Sequence, residues 1–349
     1  MQDLKRRLLL CGFGNVGRAF TRLIAEKKVF IREKYGIDIQ LTAVVDIGGA
    51  AVAEASALPE IQLLDHFKAG KAIETIQPFG IPGATAVDLM GKINADVLVE
   101  TTPTNLKDGE PAKSHIVAAI ESRMDVVSAN KGPLVLFYDD MVSKARRHGV
   151  QLKMSAATAA ALPTLDVGQL CLAGSSILSI EGILNGTTNY ILTRMHLENC
   201  SYETALKDAQ QLGIAETDPK MDVDGLDTRN KIILITNQLF DRRFTLSEVP
   251  VTGITHILPA DIVKAKSNGQ VIKLIGSAVK ENGAIKLEVA PRSLAMDHPL
   301  ASINYAEKGI RYFTDSMGSI TVSGGKSSPV GAAAALLKDL VHLSLRTIC

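Results

Sequence analysis

The sequence predicts an α/β protein: a Rossmann-type, doubly wound parallel sheet joined to a second, α+β domain. Short apolar runs alternate with helical patterns through roughly the first 150 positions, the signature of βαβ units. Beyond Pro163 this order gives way to helices in succession and a hairpin. The length of 349 residues also exceeds one core of about 150, so two domains are expected.

In chain order, residues 8–11 read as a strand, 16–26 as a helix and 41–45 as the second strand, with a longer helix and loop between them. Strands follow at 96–100, 125–128 and 151–154, separated by helices at 112–122 and 139–148. In the second part a β-branched run at 177–184 precedes helices at 188–197, 202–212 and 227–240. Residues 271–279 and 284–289 read as a hairpin, because Asn282-Gly283 favours a tight turn. A last strand at 320–322 and an apolar helix at 332–345 complete the pattern.

Composition narrows the function. Lys+Arg number 38 against 37 Asp+Glu, a net charge of +1, which excludes a chain-wide basic footprint for nucleic acid or acidic membrane. There is no Trp, and 4% aromatic content leaves no stacking platform for bases. The apolar run after Lys5-Arg6-Arg7 breaks at Gly12, too early for a secretory signal. No stretch reaches the roughly 18–20 apolar residues of a membrane span. Cys11, Cys171, Cys200 and Cys349 are widely spaced with no C-x-x-C pair, as free thiols of a cytoplasmic protein would be. The seven histidines fall in no triad or metal-ligand spacing, and core or surface roles are expected for all of them.

Chemistry begins at Gly12-Phe13-Gly14-Asn15-Val16-Gly17, a G-x-G-x-x-G between a buried strand and a helix. Gly12 permits the tight turn, Gly14 lets a diphosphate approach the backbone, and Gly17 allows close helix–strand packing. The free N–H groups and dipole at the helix start then favour the anion. Asp46, ending the second strand, suits the adenosine ribose hydroxyls and repels a 2′-phosphate. No Lys or Arg lies between Ile47 and Leu64. NAD is therefore the expected cofactor, with NADP the open alternative.

Later segments resemble the homoserine dehydrogenase family over nearly the whole chain. Glu100-Thr101-Thr102-Pro103-Thr104-Asn105 and Ser128-Ala129-Asn130-Lys131-Gly132 are similar to its cofactor-side loops. Leu184-Asn185-Gly186-Thr187-Thr188-Asn189-Tyr190 is its most specific motif, and Leu212-Gly213-Ile214-Ala215-Glu216-Thr217-Asp218-Pro219 with the stretch 222–231 resembles its catalytic segment. By this resemblance the chain is expected to be the short form, without a fused kinase or an appended regulatory domain. The family interconverts L-homoserine and L-aspartate 4-semialdehyde with NAD(P). By this resemblance Lys231, Lys131 and Asp227 are catalytic. Glu216, Asp222, Gly186, Thr187 and Tyr190 would hold the small amino-acid substrate. Thr102, Pro103, Asn130 and Gly325 join the glycine loop on the cofactor.

Asp227 and Lys231 are i, i+4 and share one helix face, a pattern that by itself also describes a solvated ion pair. Lys131 is the candidate neighbour whose charge would lower the Lys231 pKa. The family's domain plan implies a dinucleotide-binding domain at 1–150, completed by about 311–349. A substrate-binding and dimerisation domain at 151–310 follows, giving a homodimer. One departure stands out. Many members carry a Glu where Ser155 stands, in a loop that holds a monovalent cation, so no metal is expected here. That change keeps two alternatives open: a relative acting on another small amino or hydroxy acid, and a non-catalytic nucleotide-binding protein.

Overall fold

The computed structural model describes residues 3–53, 56–325 and 327–348. The chain forms two compact units, residues 1–160 with 328–349, and residues 161–327.

The first unit is built on a seven-stranded sheet: β1 (Leu4–Cys11), β2 (Ile37–Asp46), β3 (Gly49–Val52), β4 (Gly80–Pro82), β5 (Val97–Glu100), β6 (Asp125–Ser128) and β7 (Leu152–Lys153). Its order is β4-β3-β2-β1-β5-β6-β7. The five strands from β2 to β7 across the middle run parallel, and β3 and β4 add an antiparallel edge. β1 lies at the centre, covered on both faces, which is why Leu8, Leu9, Leu10 and Cys11 are all fully buried and show no alternation. Helix α1 (Asn15–Tyr35) buries Phe20, Ile24 and Ile31, and ends at Gly36 in the left-handed region. It continues well past residue 26, where polar residues mask the pattern. The C-terminal helix Pro329–Ile348 joins the same core through Ala333, Leu336, Leu340 and Leu343.

The second unit carries a five-stranded antiparallel sheet of β8 (Ile177–Ile183), β9 (Gln270–Glu281), β10 (Ala284–Ala295), β11 (Gly309–Thr314) and β12 (Ser319–Ser323). The order is β10-β9-β8-β11-β12. β9 and β10 are longer than expected but turn where the sequence indicated. Asn282 and Gly283 have φ of 50° and 81°, the positive pair that a tight two-residue hairpin demands. Helices Gly186–Glu198 and Leu226–Phe240 belong to this unit.

The expected return to the first domain at about residue 311 is corrected to Ser328. The reason is register: β11 pairs with both β8 and β12, so residues 309–323 belong to the second sheet. Cys11, Cys171 and Cys200 are free thiols, while Cys349 lies outside the described residues. No described helix is long and apolar enough to cross a membrane.

Candidate active site

In the first unit, the carboxyl ends of β1, β2 and β5 open onto a cavity of about 860 Å³. Of the glycine loop, Gly12, Phe13, Gly14, Asn15 and Val16 line it, together with Asp46, Thr102 and Pro103. The three glycines have three different reasons. Gly12 has φ +89°, and a Cβ there would lie 2.8 Å from the Thr101–Thr102 backbone. A Cβ on Gly17 would lie 2.1 Å from Gly12 O, so it is the contact between α1 and the turn that excludes a side chain. At Gly14, which lines the cavity, a Cβ would meet nothing within 4 Å.

Arg18, which sequence reasoning passed over, also lines this cavity. Its guanidinium donates to Phe13 O at 2.9 Å and Asn15 Oδ1 at 2.7 Å, and lies 4.3 Å from the centre of the Phe67 ring. One helical turn inside α1, it brings a positive charge to the end of the sheet that the stretch 47–64 leaves without one.

The loop after β5 is held from below. Glu100 is fully buried, accepts from Thr102 N at 2.7 Å and from Thr102 Oγ1, and meets His115 Nδ1 at 2.8 Å. His115 therefore has a site role that its sequence spacing concealed. Beside them, burial first and the Glu100 charge second push the Cys11 thiol well above its usual range. Ligand atoms of Cys11, Glu100 and His115 lie within 4.8 Å of one another, but the Glu100 carboxylate already fixes the Thr102 turn. Asn130 does not line the cavity. Its Nδ2 donates to Thr102 O at 2.9 Å and Pro103 O at 3.0 Å, and its Oδ1 caps the short helix that Lys131 begins. It shapes the Thr102–Pro103 loop from behind.

In the second unit, the helix Gly186–Glu198 starts under Asn185, whose Oδ1 caps Thr188 N at 2.9 Å. The same amide donates through Nδ2 to Asp222 Oδ1 at 2.6 Å and Asp227 Oδ2 at 2.9 Å. The Lys231 ammonium lies 2.5 Å from Asp227 Oδ2 and donates to Leu184 O at 2.8 Å. Only 13% and 11% of the Lys231 and Asp227 side chains are exposed, which removes this pair from the solvated class that the i, i+4 spacing alone allows. Asn185 is the hub that sequence reasoning missed; its signal was an Asn preceding Gly-Thr-Thr at a helix start.

Thr187 Oγ1 donates to Ile214 O at 3.0 Å and so ties the loop bearing Glu216 to the same helix start. Glu216 itself is exposed. Tyr190 is 5% exposed and its hydroxyl accepts from Arg194 at 3.3 Å. Gly325 lies in the second unit with φ +76°, packed where a Cβ would fall 2.7 Å from Leu162 N. Lys131 belongs to the first unit and Lys231 to the second.

The first unit thus holds a cavity of about 860 Å³ at the glycine turn, and the second a buried Asn–Asp–Lys cluster. The homoserine dehydrogenase family profile matches residues 163–341. The homoserine dehydrogenase of Methanocaldococcus jannaschii is 37% identical, over 96% of this chain and 98% of that protein. The chain belongs to the homoserine dehydrogenase family. The NAD(+)-dependent homoserine dehydrogenase of Pseudomonas canavaninivorans is 36% identical over 97% of this chain and 96% of its own. A crystal structure of an Archaeoglobus fulgidus protein assigned to the same enzyme has a TM-score of 0.85 at 32% identity, covering 97% of this chain and 99% of that one. As a homoserine dehydrogenase family member the chain is an oxidoreductase acting on a CH–OH group with a nicotinamide nucleotide.

Proposed function

We propose that this chain oxidises L-homoserine to L-aspartate 4-semialdehyde, reversibly, with NAD in preference to NADP. When bound, the nicotinamide accepts or returns the hydride. The rest falls to the protein. As the neutral amine Lys231 takes the hydroxyl proton in the oxidation direction, and as the ammonium it returns that proton to the forming alkoxide in the reduction direction. Asp227 and Leu184 O both hold its ammonium, and Lys131 is a second catalytic lysine. Glu216, Asp222, Gly186, Thr187 and Tyr190 hold the amino-acid end of the substrate, and Asn185 sets the angle between the two aspartates. The observation that carries this reading is the shared oxygen Asp227 Oδ2, which receives both Lys231 Nζ at 2.5 Å and Asn185 Nδ2 at 2.9 Å.

On the cofactor side, Gly12–Gly17 and Asp46 serve the dinucleotide, Thr102 and Pro103 face its nicotinamide, Asn130 supports that loop, and Gly325 is a further cofactor residue. The preference for NAD rests on Asp46, whose carboxylate favours ribose hydroxyls over a 2′-phosphate. The first unit is thus the dinucleotide-binding domain and the second the substrate domain. The long β9–β10 pair supports assembly of a cytoplasmic homodimer through that second domain. The test is nicotinamide reduction by the purified chain with L-homoserine and either nucleotide, using other hydroxy acids as controls. We expect kcat/KM with NAD to exceed that with NADP by about tenfold, the worth of one charge-assisted contact of roughly 1.5 kcal/mol. Turnover of a control acid with none of homoserine rejects the substrate assignment.

The family's cation loop does not fit a cation in this chain. Ser155 N and Oγ donate to the two oxygens of Asp339 at 2.9 and 2.7 Å, and Lys338 Nζ donates to Ser155 Oγ at 3.0 Å. An ammonium thus stands at the position where the carboxylate of other members would draw a cation. Lys338 Nζ also lies 3.3 Å from Asp339 Oδ1, so the carboxylate at this position already has its counter-charge and leaves no net negative charge to draw a cation. We expect equal activity and equal thermal midpoints in sodium, potassium and choline chloride at matched ionic strength. A rise confined to sodium or potassium, in either quantity, counts against this.

A further inference from the structure

Lys273 on β9 is fully buried, yet among the described residues its ammonium meets only neutral oxygens. They are Asn189 Oδ1 at 3.0 Å, Thr193 Oγ1 at 3.3 Å, Ile303 O at 2.6 Å and Asn304 Oδ1 at 3.1 Å. Burial pushes its pKa down to about 8, so the charged form is held against a desolvation cost. An aliphatic residue would fill a sheet position at lower cost, so the stem alone does not account for a lysine here.

The four oxygens come from two segments. Asn189 and Thr193 belong to the helix Gly186–Glu198, whereas Ile303 and Asn304 begin an irregular stretch before β11. Further bonds repeat the tie. Asn189 Nδ2 donates to Ile303 O at 3.1 Å and Glu307 O at 3.0 Å, and Tyr305 N donates to Thr193 Oγ1 at 3.1 Å. Lys273 is the buried pin of this arrangement, reaching both sides at once.

The stretch it pins runs back to the start of the helix. A Cβ on Gly186 would lie 2.8 Å from Ala306 O, so the two backbones touch only because Gly186 has no side chain. Tyr305 takes φ +54°, uncommon for a tyrosine, and its ring centre lies 6.1 Å from that of Tyr190. Strain of this kind persists where surrounding bonds over-determine the backbone. About half of Tyr305 remains exposed, so the ring is not spent on the core.

We infer that residues 304–307 form a wall of the substrate site, with Tyr305 limiting substrate length and Lys273 acting as the positioning residue that fixes the wall. The inference rests on the proposed placement of Gly186, Thr187 and Tyr190 around the amino acid. It adds a specificity element that the motif does not contain: a wall supplied by a segment more than 110 residues further along the chain.

The test compares wild type with Tyr305→Ala and Lys273→Met on L-homoserine and on L-5-hydroxynorvaline, which is one methylene longer. One methylene is worth roughly 10- to 200-fold in discrimination at a pocket wall. Tyr305→Ala should lose most of that ratio through the longer substrate. Lys273→Met should raise the KM for homoserine about tenfold, leaving kcat and the KM for NAD within about twofold. Unchanged discrimination in Tyr305→Ala overturns the wall, and an unchanged homoserine KM in folded Lys273→Met overturns the positioning role. Tyr305 is half-exposed, so its variant gives the answer even where Lys273→Met does not fold. A wild type inert on homoserine fails the functional reading and this inference with it. An active wild type with unaltered variants fails this inference alone.

Discussion

Lys231→Met is expected to lower kcat by roughly two to four orders of magnitude, the usual worth of a positioned proton-transfer group. The dissociation constant for NAD should stay within about twofold, because the cavity proposed for the dinucleotide is lined by other residues. The methionine keeps most of the stem's packing and deletes only the ammonium. Two acceptors then lose their donor, Leu184 O and Asp227 Oδ2. Asp227 retains Asn185 Nδ2 at 2.9 Å, but a carboxylate 11% exposed that loses the ammonium 2.5 Å away is destabilised, and the fold with it. A lower thermal midpoint therefore accompanies the kinetic defect, and the two must be separated. Lys231→Arg does so. The guanidinium preserves the positive charge beside Asp227 but does not release a proton near neutrality. Lys231→Arg is expected near the wild-type midpoint with kcat still depressed by at least about a hundredfold. A Lys231→Met protein keeping more than about a tenth of wild-type kcat removes Lys231 from the proton-transfer role.

The difference between what the sequence discloses and what only the fold supplies is a matter of range. β1 is legible because a central parallel strand needs apolar residues on both faces, and the 282–283 turn because positive φ restricts residue choice. Asp227 and Lys231 are legible because a helix makes i and i+4 neighbours. β3 and β4 escape because four and three residues are too short to display a period. β11 escapes for another reason. Ile310, Tyr312 and Thr314 point inward, but the outward position 313 is Phe, 46% exposed, which erases the polar half of the alternation.

The site follows the same rule. The glycine turn is one local segment and could be read residue by residue. Asn185 meets Asp222 and Asp227 from 37 and 42 positions away, and Lys338 meets Ser155 from 183. His115 reaches Glu100 only because a helix folds back over the end of β5. No spacing rule covers such pairs. They are set by which strands lie side by side, and residue type alone leaves each of them with an ordinary surface or capping role.

Gly14→Ala and Gly17→Ala should separate binding from folding within a single turn. At Gly14 the backbone has φ −71°, which alanine adopts without strain, and an added Cβ has no neighbour within 4 Å. The thermal midpoint of the nucleotide-free protein is therefore expected to remain within about 1–2 °C of wild type. The new methyl is added at a residue that lines the cavity, where the proposed cofactor brings its diphosphate to the backbone, so the dissociation constant for NAD should rise about tenfold or more. The stabilisation that saturating NAD confers should shrink accordingly, since it scales with the logarithm of ligand concentration over Kd. Gly17→Ala should behave in the opposite order. Its Cβ would stand 2.1 Å from Gly12 O, a backbone atom with no rotamer to escape into. Either α1 moves off the sheet or the Gly12 turn opens, and overpacking of this kind costs at least about 1–3 kcal/mol. That corresponds to a midpoint lowered by roughly 2–12 °C before any nucleotide is added. Thermal melts with and without NAD, beside direct titration, distinguish the two. A Gly14→Ala protein that binds NAD as wild type does would place the diphosphate somewhere other than this turn. A Gly17→Ala protein that melts normally would mean that α1 and the turn are less tightly apposed than a glycine contact requires.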